Sequence, residues 1–428
     1  MNNLTTLLTL DNGLTVHLKE IHTAPIISTW VWYRVGSRNE TRGRTGISHW
    51  VEHMQFKGTD KYPPGYLDRE ISRVGGIWNA MTYLDWTTYF ETLPAHLFEI
   101  SLALEADRMV NSRFIPDEVE RERTVVISER EGNENEPLFL LGEAVTAAAF
   151  SNHPYAMEVI GLKGDLETIT RDQLYEHYRA FYHPENAVLA IAGDFATDAM
   201  LEQIRHHFGF ISSQKIHQNT APPEPSLHGE QRVSVTGPGE TSFLQISYRA
   251  PAANDPAFFE LTVLDSLLTG PNSLNMFGSG GTSNRTSRLY RALVETEIAV
   301  SCNGTLQATC DPYLYSLNLT IPPNRTPEEV LVAVDQEIDK ILETSISPEE
   351  IERAIKQAKA LFVYSSEAIT NQAFWLGFSE MFASYDWFEN YIPHLSRVTP
   401  ESLLLAAQKY LVPKNRVVGI YSPQERQA

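Results

Sequence analysis

The chain has 428 residues, 42% hydrophobic and 21% charged, with 24 glycines and 24 prolines. This is a globular composition, long enough for two or three domains, and it excludes a disordered, collagen-like or coiled-coil chain. The 34 Lys and Arg stand against 54 Asp and Glu, a net charge of −20, which argues against a nucleic-acid binder because phosphate contacts need a basic face. No apolar run reaches the ~18 residues of a membrane span, so neither nucleic acid nor membrane is an expected partner. The opening MNNLTTLLTL lacks the basic and apolar blocks of a signal peptide. The cytoplasm is the default location, with the periplasm the alternative if a leader has been removed. Cys302 and Cys310 are the only cysteines. They are too few for a disulfide framework or a thiolate metal site, and are expected to be reduced structural thiols.

In chain order, Leu7 to Leu10, the Asn12-Gly13 turn and Leu14 to Leu18 read as a hairpin. The β-branched and aromatic run from Ile26 to Val35 is a strand, and Trp86 to Leu93 is another. Helices are predicted near 47–56, 66–73 and 95–110, then over 117–131 and onward to Phe150. Gly75, Gly76 and Asn79 read equally well as turn residues ahead of a strand or as part of a binding site. In the second half, 257–268, 326–344 and 348–365 look helical. Phe277 to Ser283 is glycine-rich but lacks the Lys-Ser/Thr of a phosphate loop, which makes it a loop rather than a nucleotide site. Trp375, Phe378, Met381, Phe382, Trp387 and Phe388 form an aromatic cluster suited to core or subunit packing.

An internal repeat organises these elements. Thr170 to Leu174 and Pro184-Glu-Asn186-Ala-Val188 recur as Thr399 to Leu403 and Pro413-Lys-Asn415-Arg-Val417. Each copy reads as a Thr-capped helix, a Pro/Asn turn and a β-branched strand. Residues 213–231 are polar, proline-bearing and aperiodic, the chemistry of a linker. The expected layout is therefore a domain at 1–212, a linker at 213–231 and a homologous domain at 232–428. The expected class is α+β: two homologous α/β sandwich domains, each a largely antiparallel sheet with helices packed on it.

The sharpest local signal is His49-Trp50-Val51-Glu52-His53. On a helix, positions i and i+4 share a face and i+3 lies beside them. Two neutral imidazoles so placed suit Zn²⁺, and the adjacent carboxylate can accept and return a proton. This is the inverted order of the H-E-x-x-H motif. A third ligand is still needed. Glu122 and Glu129 lie seven residues apart, about two helical turns, so one can bind the metal while the other orients a ligand. Taken alone, those acids belong to a charge-rich helix and read as a solvated face.

The run Gly36-Ser-Arg-Asn-Glu40, Thr45-Gly-Ile-Ser-His49 through Glu52, His53, Phe56-Lys57-Gly58-Thr59, then Gly75-Gly76, Asn79-Ala80, Thr82, Glu122 to Glu129, and His153-Pro-Tyr155 resembles the pitrilysin/insulinase metallopeptidases, which include the mitochondrial processing peptidases and their bacterial relatives. The resemblance covers essentially the whole chain, strongly in the first half. It implies Glu129 as the third zinc ligand beside His49 and His53, Glu52 as the proton-transferring carboxylate and Glu122 as the supporting one. It also implies that peptide substrates add as a strand near Asn79 and Ala80. Self-sufficient relatives carry an Arg and a Tyr in the second half; the match puts Val294 and Val300 there, with Arg288 and Tyr290 at the wrong spacing. The expectation is a zinc-bearing subunit of a two-chain endopeptidase whose related, zinc-free partner supplies that pair, with a homodimer as the rival. The alternative function is a non-enzymatic peptide-binding or assembly subunit, against which the intact motif speaks. A zinc hydrolase for a non-peptide bond has nothing in its favour.

Overall fold

The computed structural model describes residues 5–214, 221–276, 284–343 and 346–424. The expected hairpin is present: β1 (Thr5–Thr9) runs antiparallel to β2 (Thr15–Glu20), with Thr9 opposite Thr15. Strands β3 (Ile26–Tyr33), β4 (Ile77–Thr82), β5 (Thr87–Pro94) and β6 (Ala187–Gly193) complete a sheet in the order β1-β2-β6-β3-β5-β4. Its pairs are antiparallel except β2 with β6. The second sheet contains β7 (Gln231–Gly237), β8 (Ser242–Arg249), β9 (Ser301–Leu306), β10 (Leu314–Ile321) and β11 (Arg416–Pro423), in the order β7-β11-β8-β10-β9. Here only β7 with β11 is parallel. Setting β1 aside, the two strand orders are the same. The repeat seen in the sequence is a repeat of topology, and the α+β class holds.

The matched residues do matched work. Thr170 and Thr399 each cap a helix (Arg171–Phe181 and Pro400–Tyr410) by accepting from the backbone three residues on. Asn186 Nδ2 donates to the Phe181 carbonyl and Asn415 Nδ2 to the Tyr410 carbonyl, both at 2.9 Å. Each amide thereby satisfies a carbonyl left open at a helix C-terminus and turns the chain into β6 or β11.

Two compact units form, but they are not the two contiguous halves. The first is built from the segments up to Arg130, Met157–Ala221 and Ser366–Tyr385. The second takes Glu131–Ala156, Pro222–Ser365 and the chain from Asp386 onward. Each half thus lends one helix to the other half's sheet. The helix Ile369–Phe378 packs on β3 and β6, and Pro137–Ala149 packs on β11 and β7. A Cβ at Gly377 would lie 2.2 Å from the Trp32 ring, so only glycine permits that approach. The expected split at residue 212 therefore needs these two exchanges. Part of the expected linker is also anchored. Glu224 accepts backbone N–H bonds from Ser151, Asn152 and His153 at 2.7–2.8 Å, and these hold its carboxyl at about 2 against the opposing effect of burial.

Other expectations need adjustment. The helix predicted to run from 117 to 150 is two helices, Pro116–Asn133 and Pro137–Ala149. Pro137 has no N–H to continue the first. The aromatic cluster divides: Trp375, Phe378, Met381 and Phe382 are buried in the first unit, while Trp387 packs on Phe258 and Phe259 in the second. Cys302 and Cys310 are free thiols, and burial with the nearby Asp265 pushes the Cys302 thiol up to about 12. The glycine-rich segment 277–283 lies outside the described residues. No helix among the described residues is long and apolar enough to cross a membrane.

Candidate active site

The H-x-x-E-H residues lie on the helix Ile47–Met54. Its start is built by side chains from elsewhere. Glu40 accepts from the backbone N–H of Gly46 at 2.7 Å and of Ser48 at 2.8 Å at the start of the helix, although burial outweighs these bonds and pushes its carboxyl up to about 8. Asp165 accepts from Gly43, Thr45 and the Thr45 hydroxyl just upstream. Gly46 has φ +83°, and a Cβ there would meet the Ile160 carbonyl at 2.4 Å. Trp50, Val51 and Met54 bury the other face in the core.

His49, His53 and Glu129 converge. The two Nε2 atoms are 3.2 Å apart, and Glu129 Oε2 is 3.6 Å from His53 Nε2 and 3.8 Å from His49 Nε2. Donors around a tetrahedral zinc, each ~2.0–2.1 Å from it, stand about 3.3 Å apart. The donor set therefore fits zinc in both spacing and chemistry, two nitrogens and one carboxylate oxygen. His53 Nδ1 is 2.9 Å from Glu122 Oε1. Hydrogen bonds from His53 and Lys57 outweigh burial and hold the Glu122 carboxyl below its usual range. Glu122 is thus the acceptor, Nδ1 carries the proton, and Nε2 presents its lone pair to the cation position. Burial and then the neighbouring His53 push the His49 imidazole down to about 3, which keeps it neutral as a ligand must be. At His53 burial works against protonation, but the Glu122 hydrogen bond and three nearby carboxylates reverse it and raise the imidazole above its ordinary value.

Glu52 is buried on the same helix. Its Oε2 accepts from Thr82 Oγ1 at 2.8 Å, and burial raises its carboxyl above the usual range despite that bond. On the charge-rich helix Pro116–Asn133, Glu122 is buried and Glu129, though exposed, faces the two imidazoles; Glu118 and Glu120 pair at the surface with Arg121 and Arg123. So the solvated-face reading fails at Glu122, which is buried, while Glu129 stays exposed with its carboxylate beside the imidazoles. Asn79 and Ala80 lie on β4, which pairs with β5 and has no second strand neighbour among the described residues. The turn reading of Asn79 was therefore wrong.

Two neighbours, named above only within the run that carries the resemblance, were given no role by the sequence. Lys57 Nζ sits 2.5 Å from Glu122 Oε2, holding the carboxylate from its far side. Its spacing of four from His53 was the available signal. Thr82 had none beyond its place in that run. Replacing Glu122 by Gln should weaken cation binding about 10–100-fold, because the amide holds the imidazole less firmly. Competition with a chromogenic chelator reads this, and an unchanged affinity would remove Glu122 from the support of the site.

The arrangement is a duplicated α/β fold with one cation-type donor set among the described residues, carried by the first copy. Residues 15–162 match the family model described as Insulinase (Peptidase family M16), and 168–358 match Peptidase M16 inactive domain. An uncharacterized zinc protease of Mycobacterium leprae is 28% identical over 410 residues, covering 94% of this chain and 88% of that one. A probable mitochondrial-processing peptidase subunit beta of Arabidopsis thaliana is 28% identical over 295 residues, 68% of this chain and 55% of its own. The crystal structure of a protease from Helicobacter pylori aligns with a TM-score of 0.89 at 25% identity, covering 98% of this chain and all of that one. The chain belongs to the M16 (insulinase) peptidase family. Its zinc-protease relatives support a peptidase role.

Proposed function

We propose that this chain is a zinc endopeptidase acting on unfolded peptides, and that it is the cation-bearing subunit of a two-chain enzyme. The observation that carries the first part is the convergence of His49, His53 and Glu129 beside the buried Glu52. Zinc held there would polarise the scissile carbonyl and ease deprotonation of water. Glu52 takes a proton at one carboxylate oxygen while Thr82 occupies the other, and returns it to the leaving amine. The open side of β4 offers backbone N–H and C=O groups to an extended peptide, so Asn79 and Ala80 hold substrate by strand addition. That mode favours extended segments whose backbone N–H and C=O groups are not already paired, as in an unfolded peptide.

The second part rests on what the second copy lacks. Val300 is exposed, and Val294 offers no charge. Arg288 is committed to Glu350, with contacts of 2.9 and 3.1 Å. Neither valine can stabilise charge on a substrate oxygen, so a related subunit is proposed to supply the Arg and Tyr. The test is cleavage of quenched-fluorescence peptides by the purified chain, with and without chelator and with its co-purifying relative. Cleavage that needs both chains and is lost to chelator is expected. Full activity from the chain alone would overturn the partner requirement and favour a homodimer. A zinc-loaded pair that cuts nothing would favour a peptide-binding or assembly role.

A further inference from the structure

Thr82 is the last residue of β4, the edge strand, and its side chain points to the helix that carries the metal motif. Its hydroxyl has one proton and two oxygens within reach: Glu52 Oε2 at 2.8 Å and Thr87 Oγ1 at 3.3 Å. Thr87 donates its own proton to the Val35 carbonyl at 2.8 Å. Thr87 therefore cannot donate to Thr82, and the Thr82 proton goes to the closer acceptor, Glu52 Oε2. Both threonines are buried, so water does not replace the bond. A β-branched side chain in a strand is stiff at χ1, so the backbone of β4 sets where the hydroxyl points.

We propose that Thr82 is a positioning residue that fixes the Glu52 carboxylate relative to the strand on which substrate docks. This rests on the peptidase reading above. Trp78 and Ala80 pack toward the core, on the same face as Thr82, while Ile77 and Asn79 are exposed. A peptide added to β4 shares the register of that backbone, and Thr82 ties the same backbone to the proton-transferring group. One oxygen of Glu52 is held, and the other is left for the proton. Removing the hydroxyl should leave docking intact and let the carboxylate turn. A misplacement of about 1 Å in a reacting group can cost on the order of 100-fold in rate.

The test compares Thr82→Val, which keeps the shape, with Thr82→Ser, which keeps the hydroxyl, in the zinc-loaded enzyme with any required partner. Thr82→Val should lower kcat about 10–100-fold with KM, zinc content and melting temperature little changed, and Thr82→Ser should recover most of the loss. Equal activity of wild type and Thr82→Val, or equal loss in both variants, overturns the proposal. Crystal structures of the zinc-loaded wild type and Thr82→Val give a readout independent of turnover. The Glu52 carboxylate should keep its place in the first and leave it in the second. An unmoved Glu52 overturns the positioning role even if no peptide is ever cut, whereas a wild type that is inactive but shows the shift overturns only the peptidase reading.

Discussion

Glu52→Gln should abolish turnover, by about 10⁴-fold, while the zinc content stays at the wild-type level. The side chains are nearly isosteric, and the Gln carbonyl oxygen can still accept the Thr82 hydrogen bond seen at 2.8 Å. What is lost is the capacity to take a proton and give it back, and general acid–base catalysis contributes typically 10²–10⁴-fold. The upper end applies because one carboxylate serves both the attack and the departure of the amine. His49, His53 and Glu129 are untouched, so metal analysis should find the same cation content in both proteins. The contrast is Glu129→Gln, which removes a charged donor and should lose metal and activity together. Near-normal cleavage by Glu52→Gln would remove Glu52 from the chemistry. Loss of zinc in that variant would instead make Glu52 part of the donor set.

How much of this was legible depended on distance along the chain. The helix 66–73 and the helix 257–268 were read with their observed ends, since apolar spacing inside one helix needs no distant information. The donors His49 and His53 and the carboxylate Glu52 were legible for the same reason. Glu129 and Glu122 were open from their spacing alone and were assigned by family resemblance; the structure sets Glu129 against the two Nε2 atoms and Glu122 against Nδ1. The exchange of helices was invisible. From Ala373 onward the helix 369–378 is apolar on every side, with Phe374, Trp375, Leu376 and Phe378 all buried. Such a pattern says that a helix is buried but not against which sheet. β4 was hidden by Gly75, Gly76 and Asn79, whose turn preferences outweighed a short alternation visible only once β5 is beside it. Arg108 was hidden because a charged residue on a helix is read as exposed until its partners are known.

That arginine carries the second large effect: Arg108→Met should destabilise the first unit by about 3–5 kcal/mol at neutral pH. Arg108, Glu105 and Glu91 are all buried, on the helix Phe98–Asn111 and on β5. The guanidinium donates to Glu105 Oε2 at 2.9 Å and to Glu91 Oε1 at 3.3 Å, and lies 4.3 Å from the centre of the Tyr89 ring. Met replaces the alkyl stem but leaves two buried carboxyls without their cation. Burial, then the charge of Glu105, already pushes the Glu91 carboxyl well above the usual range, with Arg108 opposing. A group raised in this way favours the fold while it is protonated, below the ordinary carboxylate pKa, and withdraws that support as pH rises toward the folded value. Without Arg108 the opposing influence is gone, so the deficit of the variant should be greatest at neutral and alkaline pH. It should shrink as the pH falls toward ~4.5, where the unfolded carboxyls also take up protons. Thermal melts of wild type and variant between pH 5 and 8 measure this, and adding Glu105→Gln to the variant should recover part of the loss by removing one buried charge. A deficit that stays flat across that range would mean that packing of the guanidinium on Tyr89, rather than neutralisation of Glu91 and Glu105, is what Arg108 contributes.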